Sequence, residues 1–394
     1  MPGVRHVSVD ERRARLAQRH HLAAEARTDD VVAVARGLIG FHGSDPASVF
    51  LSAAARMRHP SVASLEHALY EERRLVRTLC MRRTMFVVPV ELVPVVQAAV
   101  TDALVPGERR RAIALMEQEG IADAEAHLRD LEERTVAAIE ERGEATGAEL
   151  SKSVPGLNRQ LHVGAGTKWE GTIGMSTRVL FLLSTEQRVV RGRPRGGWTS
   201  SQYRWSPMSA WLPDAVPVLG TDEARVELAR RWLLGFGPAT VADVKWWSGL
   251  TLTQVRKALA PLPVEEVDLD GVPGVMLPDV DDVADQSPEP WIALLPSLDP
   301  TTMGWQQRAW YLGDHGRALF DTNGNAGPTV WSDGRVVGGW AQRKSGEVVF
   351  RLLEDVGAEV EAAVEAEAAR LTEWLGDVRV TPRFPTPLQR ELTA

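Results

Sequence analysis

Cysteine is nearly absent: Cys80 is the single one in 394 residues. That excludes an internal disulfide and a cysteine-built zinc site, and it suits a reducing, cytoplasmic compartment. No stretch approaches the roughly 20 uninterrupted apolar residues of a membrane span. Met1 to Asp10 has no apolar core of the kind a signal peptide carries. There is no His-Glu-x-x-His, no Walker loop, no Gly-x-Ser-x-Gly elbow, and no Gly-x-Gly-x-x-Gly between a strand and a helix. The nine histidines include no spaced ligand pair. His20 and His21 are adjacent, so they point to different sides of their helix. These absences disfavour a metalloenzyme and a nucleotide hydrolase, and no metal or cofactor is expected.

Acidic residues outnumber basic ones, 53 to 45, for a formal charge of −8. By itself this disfavours a polyanionic partner, because phosphate binding needs cations. The distribution matters more than the sum. Between Gln187 and Pro213 stand Arg188, Arg191, Arg193, Arg195 and Arg204 with no acid, whereas Glu354 to Asp377 is strongly acidic. The 13 tryptophans all fall at or after Trp169, which marks a composition boundary.

Along the chain, helix signals and hairpin signals recur in groups. Ser8 with Glu11 predicts a cap for a basic helix through Arg19. Asp29 can cap the next helix, which carries Val31, Val34, Ala35 and Leu38 at helical spacing. Asp45-Pro46 reads as an N-cap followed by proline in the first turn of a third helix. A fourth helix is expected from about Ser64 to Leu79, with Arg73, Arg74 and Arg77 outward, and Thr84 to Val88 as a strand. Thr146 and Glu149 predict a capping box. Met175 to Leu183 is largely apolar and leads to a strand at Arg188–Arg191 and a basic, turn-rich loop, Arg191 to Gly197. Arg225 to Leu234, a second helix from Thr240 ending at Gly249, and a third capped by Thr251 and Gln254 form a helix-turn-helix pattern. The run from Val264 through Asp270-Gly271 to Leu277 reads as its hairpin. The last part offers short strands at 291–295, 329–331, 335–340 and 347–353, with a turn at Asp333-Gly334, and then a helix near 358–375.

The loop Phe41-His42-Gly43-Ser44-Asp45 is the best candidate site. It joins two helices, and the second directs free N–H groups and a positive dipole end toward it. His42, Ser44 and Asp45 supply a base, a hydroxyl and a carboxylate. The bland alternative makes Asp45 only a cap, Ser44 a turn residue and His42 a satisfied surface side chain.

Several segments in order resemble the winged-helix family of AlkZ-type and YcaQ-type alkylpurine DNA glycosylases. They are Glu11 to Leu22, Gly40 to Pro46, Gly237 to Gly249, Leu294 to Asp299 and Pro328 to Trp340. The resemblance implies an α+β chain of three tandem winged-helix domains, at 1–128, 129–218 and 219–290. A C-terminal β-barrel-like domain would follow at 291–394, the whole C-shaped around a DNA channel. It implies a monomeric, monofunctional glycosylase acting on double-stranded DNA with N7- or N3-alkylated purines, including bulky adducts or crosslinks in some relatives. The family pattern is expected to place Gln-x-Gln or Gln-x-Asp where this chain has His42-Gly43-Ser44, so His42 and Ser44 would replace the two catalytic positions.

The chemistry tolerates weak groups, because alkylation already charges the leaving purine. His42 could orient or deprotonate a water, Ser44 fix it, and Asp45 hold the imidazole or face the cationic sugar. Arg191, Arg193, Arg195, Arg204, Arg82 and Arg83 are the expected DNA contacts. Trp305 and Trp310 are expected to pack the terminal domain rather than stack on bases. Two readings compete: a winged-helix DNA-binding protein without catalysis, and a scaffold that does not bind DNA. The catalytic reading requires His42 to face a cation-lined groove.

Overall fold

The computed structural model describes residues 3–164, 166–167, 170–212, 217–278 and 288–394. Trp169 and part of the expected boundary between the third and last domains, 279–287, lie outside them.

One connectivity occurs three times. In the first unit, helix Val31–Gly37 leads to the two-residue strand Phe41–His42, helix Pro46–Ala54, helix Val62–Glu66 and strands Leu75–Leu79 and Met85–Pro89. The short strand pairs with the last one, Phe41 opposite Val87 and His42 opposite Phe86. In the second unit, helix Ala124–Arg142 precedes the short strand Ala145–Thr146, helices Gly147–Ser153 and Met175–Thr185 with the hairpin Gln160–Val163/Gly171–Gly174 inserted between them, and strands Val189–Pro194 and Tyr203–Pro207. Again the short strand lies against the last, Ala145 opposite Trp205. In the third unit, helices Thr221–Phe236, Val241–Ser248 and Leu252–Leu259 precede the hairpin Glu265–Leu269/Val272–Met276. A single bridge from Ala239 to Val275 stands where the other units have a short strand.

The caps explain the helix starts. The Ala47 N–H donates to Asp45 Oδ1 at 3.0 Å, with Pro46 in the first turn. Thr146 with Glu149, Thr240 with Asp243, and Thr251 with Gln254 form reciprocal capping boxes. Each satisfies N–H groups that a helix start leaves without partners. Asp30, not Asp29, caps Val31–Gly37, while Asp29 takes the ring of His59. Gly249, at φ 76°, ends its helix in the left-handed region.

Two further expectations need correction. The fourth helix stops by Glu71, and Leu75–Leu79 is a strand, because Arg73 turns the chain at φ 57°. There its guanidinium donates to the Ala210 carbonyl at 2.6 Å. Arg77 is therefore not on an outer helix face; it points inward, 3% exposed. Nor does the C-terminal part close into a barrel. Strands Ile292–Leu295, Thr329–Ser332, Arg335–Gln342 and Val348–Leu352 form an open antiparallel sheet in sequence order. Val364, Ala368, Leu371 and Leu375 of helix Ala358–Leu375 share an apolar core with that sheet.

One core runs through the first unit, the third unit and part of the last, whereas the second unit has a core largely its own. A fully buried ion pair ties the first and last parts. Arg56 donates to both Asp299 oxygens at 2.9 and 2.7 Å, and Ser52 Oγ adds a bond at 2.7 Å. His20 sits beside it, bonded to Thr301 Oγ1 and to the Gly235 carbonyl. Trp305 is buried and donates to the Phe236 carbonyl, a packing role. No single helix among the described residues is long and apolar enough to cross a membrane.

Candidate functional site

Strand Phe41–His42 runs into the loop where Gly43 N–H donates to the Met85 carbonyl at 2.7 Å. Arg77 comes close beneath: Nη1 donates to the Gly43 carbonyl at 3.2 Å. A Cβ on Gly43 would meet that guanidinium at 3.0 Å and the Met85 carbonyl at 3.3 Å, so the glycine permits the close approach. The next carbonyl, Ser44, accepts from Arg383 Nη1 at 2.8 Å.

The three loop candidates have different surroundings. His42 is 5% exposed, its ring 5.1 Å from that of Phe86. Burial, helped by the nearby Arg82 charge, holds its pKa down to about 3, so the ring is neutral near pH 7. Its Nδ1 is buried with no hydrogen-bond partner. Asp45 is buried and occupied as the helix cap; burial raises its pKa. Of the three, only Ser44 lines the large open cleft, while Asp45 lines a separate small cavity.

That cleft has a volume of about 630 Å³ and lies between three parts of the chain. Gly43, Ser44 and Pro46 form one wall. Thr146, Thr177, Phe181, Arg191, Arg195, Tyr203 and Trp205 of the second unit form the other, and Arg383 comes from near the C-terminus. No carboxylate and no lysine is among its described lining residues. Arg191 lies over Tyr203 and Trp205, and Arg77 lies over Tyr203 at 4.8 Å. Burial first, then the charges of Arg77 and Arg383, push the Arg191 pKa down to about 10.

The other expected DNA contacts are placed differently. Arg193 reaches Glu66 at 2.6 Å and Glu71 at 3.2 Å. Arg204 pairs with Glu144 at 2.8 Å. Arg83 forms a bidentate pair with Glu108. Arg82 lies 4.1 Å over the Trp246 ring, away from the cleft lining. The acid-free stretch of sequence thus finds its carboxylates across space, and of the six expected contacts only Arg191 and Arg195 line the cleft. Arg77, Arg383 and Tyr203 were not anticipated. Arg77 was hidden by the mistaken helical period, and Arg383 stands in a proline-rich tail without a motif.

A family model described as "DNA glycosylase AlkZ-like" matches residues 35–374. Among solved structures, the DNA glycosylase AlkZ of Streptomyces sahachiroi superposes with a TM-score of 0.71 at 20% identity, covering 93% of this chain and 97% of that one. At that identity the likeness establishes a shared α+β fold. No curated protein matches the sequence.

Proposed function

We propose a substrate and a mechanism for this chain, which belongs to the AlkZ-like DNA glycosylase family and so to the DNA-binding hydrolases of DNA repair. The substrate is duplex DNA carrying a purine alkylated at N7 or N3. The reaction is hydrolysis of the N-glycosidic bond, with no strand cleavage. The observation that carries the reading is the cleft itself: Ser44, Arg191, Arg195 and Arg383 line it, with no carboxylate among its described lining residues.

The chemistry follows from what lines this space. Among the described lining residues there is no carboxylate to protonate a neutral base or to act as a strong base toward water. An alkylated purine leaves without protonation, because it already bears a positive charge. The lining residues therefore select by what they lack: an unmodified purine, which needs acid catalysis to leave, is spared. Ser44 Oγ holds the attacking water on the sugar. Arg191 and Arg195 hold the strand by its phosphates, which dominate affinity for DNA. Tyr203 and Trp205 offer aromatic surface next to them. With no lysine among the described lining residues, the monofunctional route is favoured over a Schiff-base lyase step. His42 is buried against Phe86 and is absent from the cleft lining, so the groove-facing position expected of a water-activating base is not met, and the role toward water passes to Ser44. Asp45 sets the loop by capping Pro46–Ala54. The three repeated units act as winged-helix modules, and a monomer working in the cytoplasm is sufficient for this activity.

The test is mass detection of bases freed from duplex DNA treated with small and with bulky alkylators. Release of 7-alkylguanine with formation of an alkali-labile abasic site supports the reading. Tight binding without release would instead mark an adduct-binding member of the family, a second reading that the burial of His42 favours. Absence of both would refute the reading.

A further inference from the structure

We propose that the guanidiniums of Arg191 and Arg383, which line the cleft, form a clamp for a single phosphate group of the DNA strand beside Ser44, with the charge of buried Arg77 behind them. This rests on DNA being the ligand of the cleft and goes further by assigning which cations grip the strand at the reacting nucleotide.

Three observations carry it. First, no ion pair to a carboxylate is seen for any of the three guanidiniums among the described residues, whereas Arg193, Arg204 and Arg83 each have one; the nearby acid is Asp45, which takes the Arg383 backbone N–H and feels its charge. Second, two of them are deeply placed. Arg77 is 3% exposed, and its Nε and that of Arg191 are buried without a hydrogen-bond partner. A buried cation without a carboxylate partner is costly, and burial first, then the charges of Arg77 and Arg383, lower the Arg191 pKa in the same direction. An anion entering the cleft would relieve it. Third, the cluster is tied to the candidate loop. Arg77 and Arg383 each bond a successive carbonyl, of Gly43 and Ser44, at 3.2 and 2.8 Å. Arg383, exposed at the cleft, keeps further N–H groups for an oxyanion, and the planar fork of arginine matches phosphate geometry. The faces of Tyr203 hold Arg77 and Arg191 in place. Phosphate recognition and the position of the Ser44 hydroxyl are thereby coupled through two consecutive peptide groups.

The experiment uses the full chain and undamaged duplex, so it does not depend on base release. Inorganic phosphate is titrated while the melting midpoint is followed, for the wild type, Arg383→Gln and Arg191→Met. Arg383 is exposed, so its replacement should leave the fold intact. Phosphate should raise the wild-type midpoint and neither variant's. In phosphate-free buffer the Arg191→Met midpoint should not fall below that of the wild type. For duplex binding, Arg383→Gln should lower the slope of log affinity against log salt by about one. A phosphate response that survives in both variants would overturn the clamp. So would an unchanged salt slope, which would leave a site for free phosphate unrelated to the strand. If the clamp responds as expected but no base is released, the glycosylase chemistry fails while the clamp stands.

Discussion

Replacing His42 by glutamine should make the protein less sensitive to acid. The imidazole is 5% exposed and its pKa is held near 3, against about 6.5 in an unfolded chain. The sign follows from proton counting. Below pH 6.5 the unfolded chain takes up a proton on this residue that the folded chain refuses, so stability is complete above that value and is lost as pH falls toward 3. Between pH 8 and pH 5 the two values give a loss of about 2 kcal/mol from this one side chain. Glutamine does not titrate, so the variant lacks this loss. His20 and His21 are also held down by burial, but they act in both proteins and cancel in the difference. Urea unfolding of both proteins at pH 8, 6.5 and 5 gives the measurement. The wild type should lose about 2 kcal/mol more than the variant over that range. Parallel stability curves, or a His42 resonance titrating near pH 6.5 by NMR, would refute the reasoning. Either result would place the ring in water and return it to contention as the base.

The Arg56–Asp299 pair is wholly buried, so Asp299→Ala should lower stability by about 3–5 kcal/mol, read by urea unfolding. Wild-type-like stability there would mean that the pair does not latch the first and last parts together. Among the basic-loop residues, Arg195→Gln should reduce the salt slope of duplex binding by about one. Arg193→Gln should leave the slope nearly unchanged, because Glu66 and Glu71 already hold that side chain. Equal effects of the two substitutions would place the strand elsewhere.

Local signals survived folding where their physics is local. Asp45-Pro46, Thr146 with Glu149, and Thr251 with Gln254 start helices because the capping partners lie within three residues. Asp270-Gly271 turns a hairpin because both residues adopt positive φ. The candidate site was less legible because its properties are not local. Whether Arg193 is free to bind DNA depends on Glu66 and Glu71, more than a hundred residues away. The apolar spacing of Leu65, Leu69, Leu75 and Val76 suits one long helix, yet the left-handed turn at Arg73 redirects the chain. That turn carries Arg77 into the interior, behind the loop that holds Ser44. The open C-terminal sheet differs from a barrel for a related reason. A helix 18 residues long takes up the apolar face that closure would otherwise have buried. Segments such as Leu294 to Asp299 carry family likeness through a buried latch rather than through the chemistry of the cleft.

The claim on which the account turns is that chemistry occurs at the Ser44 wall of the arginine-lined cleft. Single-turnover release of 7-methylguanine from methylated duplex, with enzyme in excess, compares the wild type with Ser44→Ala most directly. Release by the wild type and a drop of about a hundredfold in the variant, with duplex affinity unchanged, are expected. Equal rates in the two proteins, or release abolished only together with DNA binding, would contradict it.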